Sequence, residues 1–231
     1  MNLIKEKPSY HAPKVKRTRK RAFLTMEDCK KMLEYAYGHP KDFAPEITNL
    51  IHFLVLTGCR LGELRALSPE DIDLKNNLIS INKRIYKGVI DTPKNNKSGH
   101  IPLHPDLVAV YERQLERNKF TRMKKHTDEK GILFLSNWTG KRLSHTIIHY
   151  KIKELAQAVL GYADGVSAHA FRRSLSNHLI GEGLDINSVS RMLRNTNQVM
   201  LNAYTQQNLD KLKGEFNSLP ITGSVNTKVD D

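Results

Sequence analysis

Apolar residues fall into two periods along the chain, helical at both ends and two-residue in the middle. The segment TMED at 25–28 opens the first helical run, with a Thr oxygen for free backbone N–H groups and acids at the positive end of the dipole. Leu33, Tyr35, Ala36 and Tyr37 follow, and Gly38 and Pro40 end the run. Pro45 opens a second helix whose Ile47, Leu50, Ile51, Phe53, Leu54, Val55 and Leu56 are apolar nearly all round, which predicts burial. Gly58 breaks it.

Between Asp71 and Leu103 the period shortens. Leu78–Ile81, Ile85 with Tyr86, Val89 with Ile90, and residues 100–103 are short β-like runs between Lys-, Asn- and Gly-containing turns, which predicts one small antiparallel sheet. After Pro105 the helical period returns through Leu107, Val108, Val110, Tyr111 and Leu115 into a charged stretch ending near Lys130. A loop with Trp138 and Gly140 leads to Ser144, which caps a helix through Leu160. Three further helical segments are expected at about 168–181, 185–193 and 197–209. The expected fold is mainly α with a small antiparallel β-sheet, an α+β class.

Charge sharpens this picture. The chain has 231 residues, with 37 Lys and Arg against 24 Asp and Glu, a net charge of +13. Its pI is near 9.7 and its mean hydropathy −0.51. A balance this basic points to a polyanion partner, because each phosphate contact releases condensed counterions. No apolar run approaches the ~18 residues a spanning helix needs, so no membrane role is expected. No secretory signal is visible at the N-terminus, which sets the expectation of a cytoplasmic protein. Two cysteines make neither a disulfide framework nor a four-ligand zinc site, and the histidines show no metal-ligand spacing, so no metal and no cofactor are expected.

The charge is also uneven. Residues 1–22 hold Lys5, Lys7, Lys14, Lys16, Arg17, Arg19, Lys20 and Arg21 against the single Glu6, so this segment carries +7 of the +13. With Pro8 and Pro13 and no apolar period, it reads as an extended basic arm or interdomain linker that tracks phosphates. A domain is expected over 23–210 and a polar tail over 211–231.

Four places carry candidate chemistry. In TGCRLGEL, residues 57–64, Arg60 and Glu63 stand three apart at a helix start. There a guanidinium steadied by a carboxylate can clasp a phosphate, or form an ordinary surface ion pair. Lys94 and Lys97 lie in the turn PKNNKSG, 93–99, where a lysine can protonate a leaving oxygen or merely add solubility. His169 and Arg172 share one helix face, with a group that titrates near neutral pH beside a second phosphate clamp. Tyr204 follows Asn195 by nine residues; a tyrosine at a helix edge usually buries its ring. Lys141, Arg142 and Lys151 are candidate contacts to backbone phosphates.

In this order and at these separations the segments resemble the catalytic domain of the tyrosine recombinases, the integrases of phages and mobile elements. That family's pattern is an Arg in TGxRxxE, a Lys on a β-hairpin, HxxR, a Gly-His or Gly-Trp step, and a Tyr nine residues later. Arg60 with Glu63, Lys94, His169 with Arg172, and Tyr204 match it residue by residue over about residues 23–209. Lys94 is preferred to Lys97 because it precedes Pro102 by eight residues, as the family's lysine does its Ile/Val-Pro. Asn195 stands where the family has His or Trp, and Arg194 where Gly is common. The Asn195 carboxamide can still donate to a phosphate oxygen, which implies reduced dependence on this group.

The resemblance implies a site-specific recombinase that breaks and rejoins DNA through a 3′-phosphotyrosyl bond. Tyr204 would be the nucleophile and Lys94 the general acid, with Arg60, Arg172, His169 and Asn195 around the phosphate. It further implies double-stranded DNA attachment sites as partner, a homotetramer on DNA, a tail that packs in trans, and no metal or nucleotide. The alternatives are a DNA-binding module without catalysis and a type IB topoisomerase-like enzyme. The family's helical core-binding domain is not found ahead of residue 23, so the chain reads as a fragment or a short member.

Overall fold

The structure, a computed structural model, describes residues 24–92, 98–126 and 131–195. Its first helix, α1 (Met26–Gly38), begins as the sequence requires. Thr25 Oγ1 accepts from the Asp28 backbone N–H at 3.0 Å, and the Asp28 carboxylate takes the Thr25 N–H in return at 2.9 Å. Pro45 occupies the first turn of α2 (Pro45–Thr57), where its missing N–H costs nothing, and Gly58 ends the helix at φ 58°.

Leu50, Ile51, Phe53 and Leu54 of α2 are fully buried, so this helix is the centre of the core. Around it lie α1, α4 (Asp106–Lys125) and α6 (Ala168–Gly181). Phe53 meets Phe134 edge to face, with ring centroids 5.3 Å apart. A buried amide ladder ties α2 to α4: Asn49 Nδ2 donates to Gln114 Oε1, and Gln114 Nε2 to Asn118 Oδ1. Asn118 ends the ladder by donating to the carbonyls of Ile132 and Leu133, so no polar atom of the ladder is left without a partner. The last helices are α5 (His145–Leu160), capped by Ser144 on the Ile147 N–H, and α7 (Ile186–Met192), capped by Asp185 on the Ser188 N–H.

The sheet region departs from expectation by dividing in two. β1 (Ile72–Asp73), β2 (Leu78–Ile81) and β5 (Gly99–Pro102) form an antiparallel sheet in the order β1-β2-β5, with Ile79 opposite Ile101 and both fully buried. β3 (Arg84–Tyr86) and β4 (Val89–Asp91) form a separate hairpin, joined at its open end by an Arg84–Asp91 ion pair of 2.8 Å. The hairpin docks on α3 (Leu61–Ala66). A Cβ at Gly62 would lie 2.8 Å from the Ile85 carbonyl oxygen, so only glycine permits this approach.

One further expectation changes. The helix expected to run to about Lys130 ends at Lys125, with His126 at φ 47° closing it. The described hairpin, β3–β4, turns at Lys87-Gly88, and β5 pairs with β2; residues 93–97, expected as a hairpin turn, lie outside the described residues. The arm at 1–22, Lys94, Lys97, the helix expected at 197–209, Tyr204 and the tail at 211–231 lie outside the described residues. Among the described residues no helix is long and apolar enough to cross a membrane.

Candidate active site

Three chain segments meet at one end of α2. The Gly58 turn delivers Arg60 to the start of α3, α6 brings His169 and Arg172, and the chain leaving α7 brings Arg194 and Asn195. The i,i+3 spacing does what the sequence predicts: Arg60 Nη1 donates to Glu63 Oε1 at 2.9 Å, and the Arg60 backbone N–H to Glu63 Oε2 at 3.0 Å. Unlike a surface ion pair, this one has a carboxylate that is 1% exposed, with Arg60 still a quarter open to solvent.

Arg172 is buried. Its Nη1 donates to the Gly58 carbonyl at 2.6 Å and its Nη2 to the Leu193 carbonyl, so the guanidinium locks the end of α2 to the end of α7. Burial, and then the Arg60 charge, lower its pKa to about 10, which leaves it charged at neutral pH.

The two guanidiniums share one acceptor. Asn195 Oδ1 lies 3.0 Å from Arg172 Nη2 and 3.4 Å from Arg60 Nη2. Arginine can only donate, so the carboxamide oxygen rather than its nitrogen faces the pair. An oxygen held by two arginines stands where an anionic oxygen would be held. The expected donor role of Asn195 is therefore joined by an acceptor role that the sequence did not suggest.

His169 keeps part of its ring in water at the start of α6. Partial burial first, then Arg172, Arg60 and Arg173, lower its pKa below the ordinary 6.5, so it is neutral at pH 7.

Arg194 was legible only as a substitution for a usual glycine, yet it is part of the cluster. It is 7% exposed, and its Nη2 lies 2.6 Å from Glu63 Oε2. Burial alone would raise the Glu63 carboxyl, but Arg194 and then the Arg60 groups more than offset this and hold it below its ordinary value. The result is three guanidiniums around one carboxylate, an excess of positive charge facing the Asn195 oxygen. No spacing within the chain could have flagged it, because Glu63 and Arg194 are 131 positions apart.

The remaining candidates sit elsewhere. Lys141 is exposed in the loop before α5, and its carbonyl accepts from the Ser136 N–H at 2.8 Å. Arg142 is half-buried and turned inward, with Nη1 donating to the Arg65 carbonyl on α3. Lys151 is held by Glu154 at 2.9 Å and lies over the Phe43 ring, which ties its charge to the fold.

A helical domain with two small sheets thus presents arginines from distant segments to a single acceptor, Asn195 Oδ1. The chain belongs to the phage integrase family, whose model matches residues 22–211. It is 25% identical over 191 residues to the tyrosine recombinase XerC of Thermodesulfovibrio yellowstonii, across 82% of this chain and 59% of that protein. It is 28% identical over 199 residues to the tyrosine recombinase XerC of Roseiflexus castenholzii, across 85% of this chain and 58% of that one. The chain thus spans less than two thirds of the length of these relatives. Its fold is shared with the crystal structure of XerA recombinase at a TM-score of 0.64 and 19% identity, covering 89% of this chain and 66% of that one. The XerH site-specific recombinase bound to its palindromic difH substrate shares it at a TM-score of 0.66 and 19% identity, covering 85% and 53%.

Proposed function

We propose that the chain is the catalytic part of a site-specific DNA recombinase, which cuts and rejoins DNA through a covalent bond to Tyr204. The observation that carries this reading is the convergence of Arg60 Nη2 and Arg172 Nη2 on one oxygen, Asn195 Oδ1. A scissile phosphate brings a negative charge there and gains more in its pentacoordinate transition state. Preorganised guanidiniums are then most useful where that charge grows.

In the proposed step the Tyr204 oxygen attacks phosphorus and forms a 3′-phosphotyrosyl bond. The phosphorus–5′-oxygen bond breaks, Lys94 supplies the proton to the leaving oxygen, and neutral His169 takes the phenolic proton. A 5′-hydroxyl from a partner duplex reverses the step, because the bond energy is kept in the phosphodiester link to the enzyme. The basic arm, with Lys14, Lys16, Arg17, Arg19, Lys20 and Arg21, joins Lys97 and the exposed Lys141 in holding backbone phosphates. Arg142, turned inward to the Arg65 carbonyl, is left out of that role. Attachment sites of a phage or mobile element are the proposed substrates, and a homotetramer on two duplexes, with tails packed in trans, the proposed assembly.

The test is a nicked suicide DNA duplex mixed with the protein and resolved in SDS. The expected result is an SDS-resistant adduct from wild type and none from Tyr204→Phe. No adduct from wild type, or an adduct from the Phe variant, overturns the assignment. Rejoining that requires a second duplex separates recombinase from topoisomerase. A module that binds DNA without cutting it is a second reading, favoured by Arg172, whose two Nη atoms already serve backbone carbonyls. It predicts DNA binding without an adduct.

A further inference from the structure

Arg194 follows α7 at φ 52°, the left-handed region that a residue with a Cβ enters at a cost. Its side chain is 5% exposed. Two of its buried donors, Nε and Nη1, have no acceptor among the described residues. A third, Nη2, reaches Glu63 Oε2 at 2.6 Å. The aliphatic part of the chain lies along the start of β5, where a Cβ at Gly99 would be 3.8 Å from Arg194 Cδ. A strained backbone and two orphaned donors are local penalties, and a residue that carries both at the edge of a charged cluster points to function rather than to stability.

What Arg194 holds is Arg60. Its carbonyl oxygen lies 3.4 Å from Arg60 Nη2, and its guanidinium shares Glu63 Oε2 with the Arg60 backbone N–H, while Glu63 Oε1 takes Arg60 Nη1. The left-handed backbone accompanies the first contact and the buried side chain makes the second.

We propose that Arg194 is a positioning residue for Arg60, pinning it through Glu63 in the orientation that receives the scissile phosphate. This rests on the function proposed above. Arg194 itself, being buried, touches no substrate. Among the described residues, the charged or titratable groups that face Glu63 are Arg60 on its own helix start, Arg194 beyond α7, Cys59 in the Gly58 turn, and Arg172 and His169 on α6. Without the Arg194 charge the buried carboxylate is opposed chiefly by Arg60, so it takes up a proton at higher pH and releases Arg60 there.

The test is single-turnover cleavage of the nicked suicide duplex by the 231-residue chain, measured from pH 5 to 9 beside DNA affinity and melting temperature. Arg194→Gly suits the left-handed backbone and keeps the carbonyl, so it isolates the side chain. Its cleavage rate is expected to fall about 10- to 100-fold, as for a misplaced transition-state contact, with DNA affinity within about threefold of wild type. The acid limb of its pH profile moves to higher pH, and Arg194→Lys recovers part of the rate. If Arg194→Gly fails to fold, Arg194→Gln carries the same expectation. A folded variant that cleaves at the wild-type rate, or one whose loss lies wholly in DNA affinity with an unmoved pH profile, overturns the positioning role alone. A wild-type chain that forms no adduct overturns the recombinase reading and this one with it.

Discussion

Glu63 Oε2 stands 2.6 Å from Arg194 Nη2, a contact between two buried side chains 131 positions apart. The same oxygen accepts the Arg60 backbone N–H, so one carboxylate fastens the start of α3 to the chain leaving α7. Burying charge is costly, and such a pair is worth far more when broken than when made.

Glu63→Gln should therefore leave Arg194 as a buried cation without its counter-charge. A loss of about 3 kcal/mol in unfolding free energy at pH 7 is expected, read from urea titration. The dependence on pH has a definite sign. The folded carboxyl lies below its ordinary 4.5, so its contribution is complete above that pH and is lost as pH falls through the lowered value. The wild type should show that acid limb and the Gln variant should lack it. Equal stability of the two proteins at pH 7 would remove the pair from the account of the fold.

What the sequence shows and hides follows from range along the chain. Thr25, Pro45, Ser144 and Gly58 announced their helix ends because caps and breakers act within four residues. Arg60 with Glu63, and His169 with Arg172, were legible for the same reason, being three apart. The division of the strands was not. Ile79 pairs with Ile101 across an intervening hairpin, and nothing local says that β4 pairs backward to β3 rather than forward to β5. Arg194 was hidden for the same reason, since its partner lies on another helix. Asn195 was seen as a donor only because the two guanidiniums that fix its oxygen come from α3 and α6.

The titration of His169 should report the crowding of positive charge. In the free protein its NMR midpoint is expected below 6.5, and Arg60→Gln should move it upward. Because the folded value is depressed, the neutral ring's contribution to stability is present above pH 6.5 and lost as pH falls through the folded value. A midpoint at or above 6.5 in the free wild type would contradict the arrangement.

Gly58 joins both halves of the site through its backbone. It sits at φ 58°, and an added Cβ would meet Leu193 Cδ2 at 2.7 Å and Leu175 Cδ2 at 3.1 Å. Gly58→Ala combines left-handed strain with overpacking, for an expected loss of about 2 kcal/mol in chemical unfolding. The carbonyls of Gly58 and Leu193 both accept from Arg172, so the same substitution should lower cleavage at a temperature where the variant is still folded. A variant as stable as wild type would mean that Leu193 and Leu175 yield freely.

Asn195→Asp offers a test in which stability and activity move in opposite directions. Oδ1 already accepts from Arg60 and Arg172, and a carboxylate there makes the same contacts with charge, about doubling the strength of each hydrogen bond. It also offsets part of the excess positive charge left by three guanidiniums around Glu63. The folded chain should gain on the order of 1 kcal/mol, seen as a higher melting temperature. The phosphate would then meet an anion already seated between its two arginines. Adduct formation on nicked DNA is expected to fall by more than about 100-fold, a loss on the scale of removing a preorganised oxyanion donor. Asn195→Ala, which vacates the position without adding charge, should lose far less. If the Asp variant cleaves like wild type, the two guanidiniums do not meet the phosphate at the place where they meet Asn195.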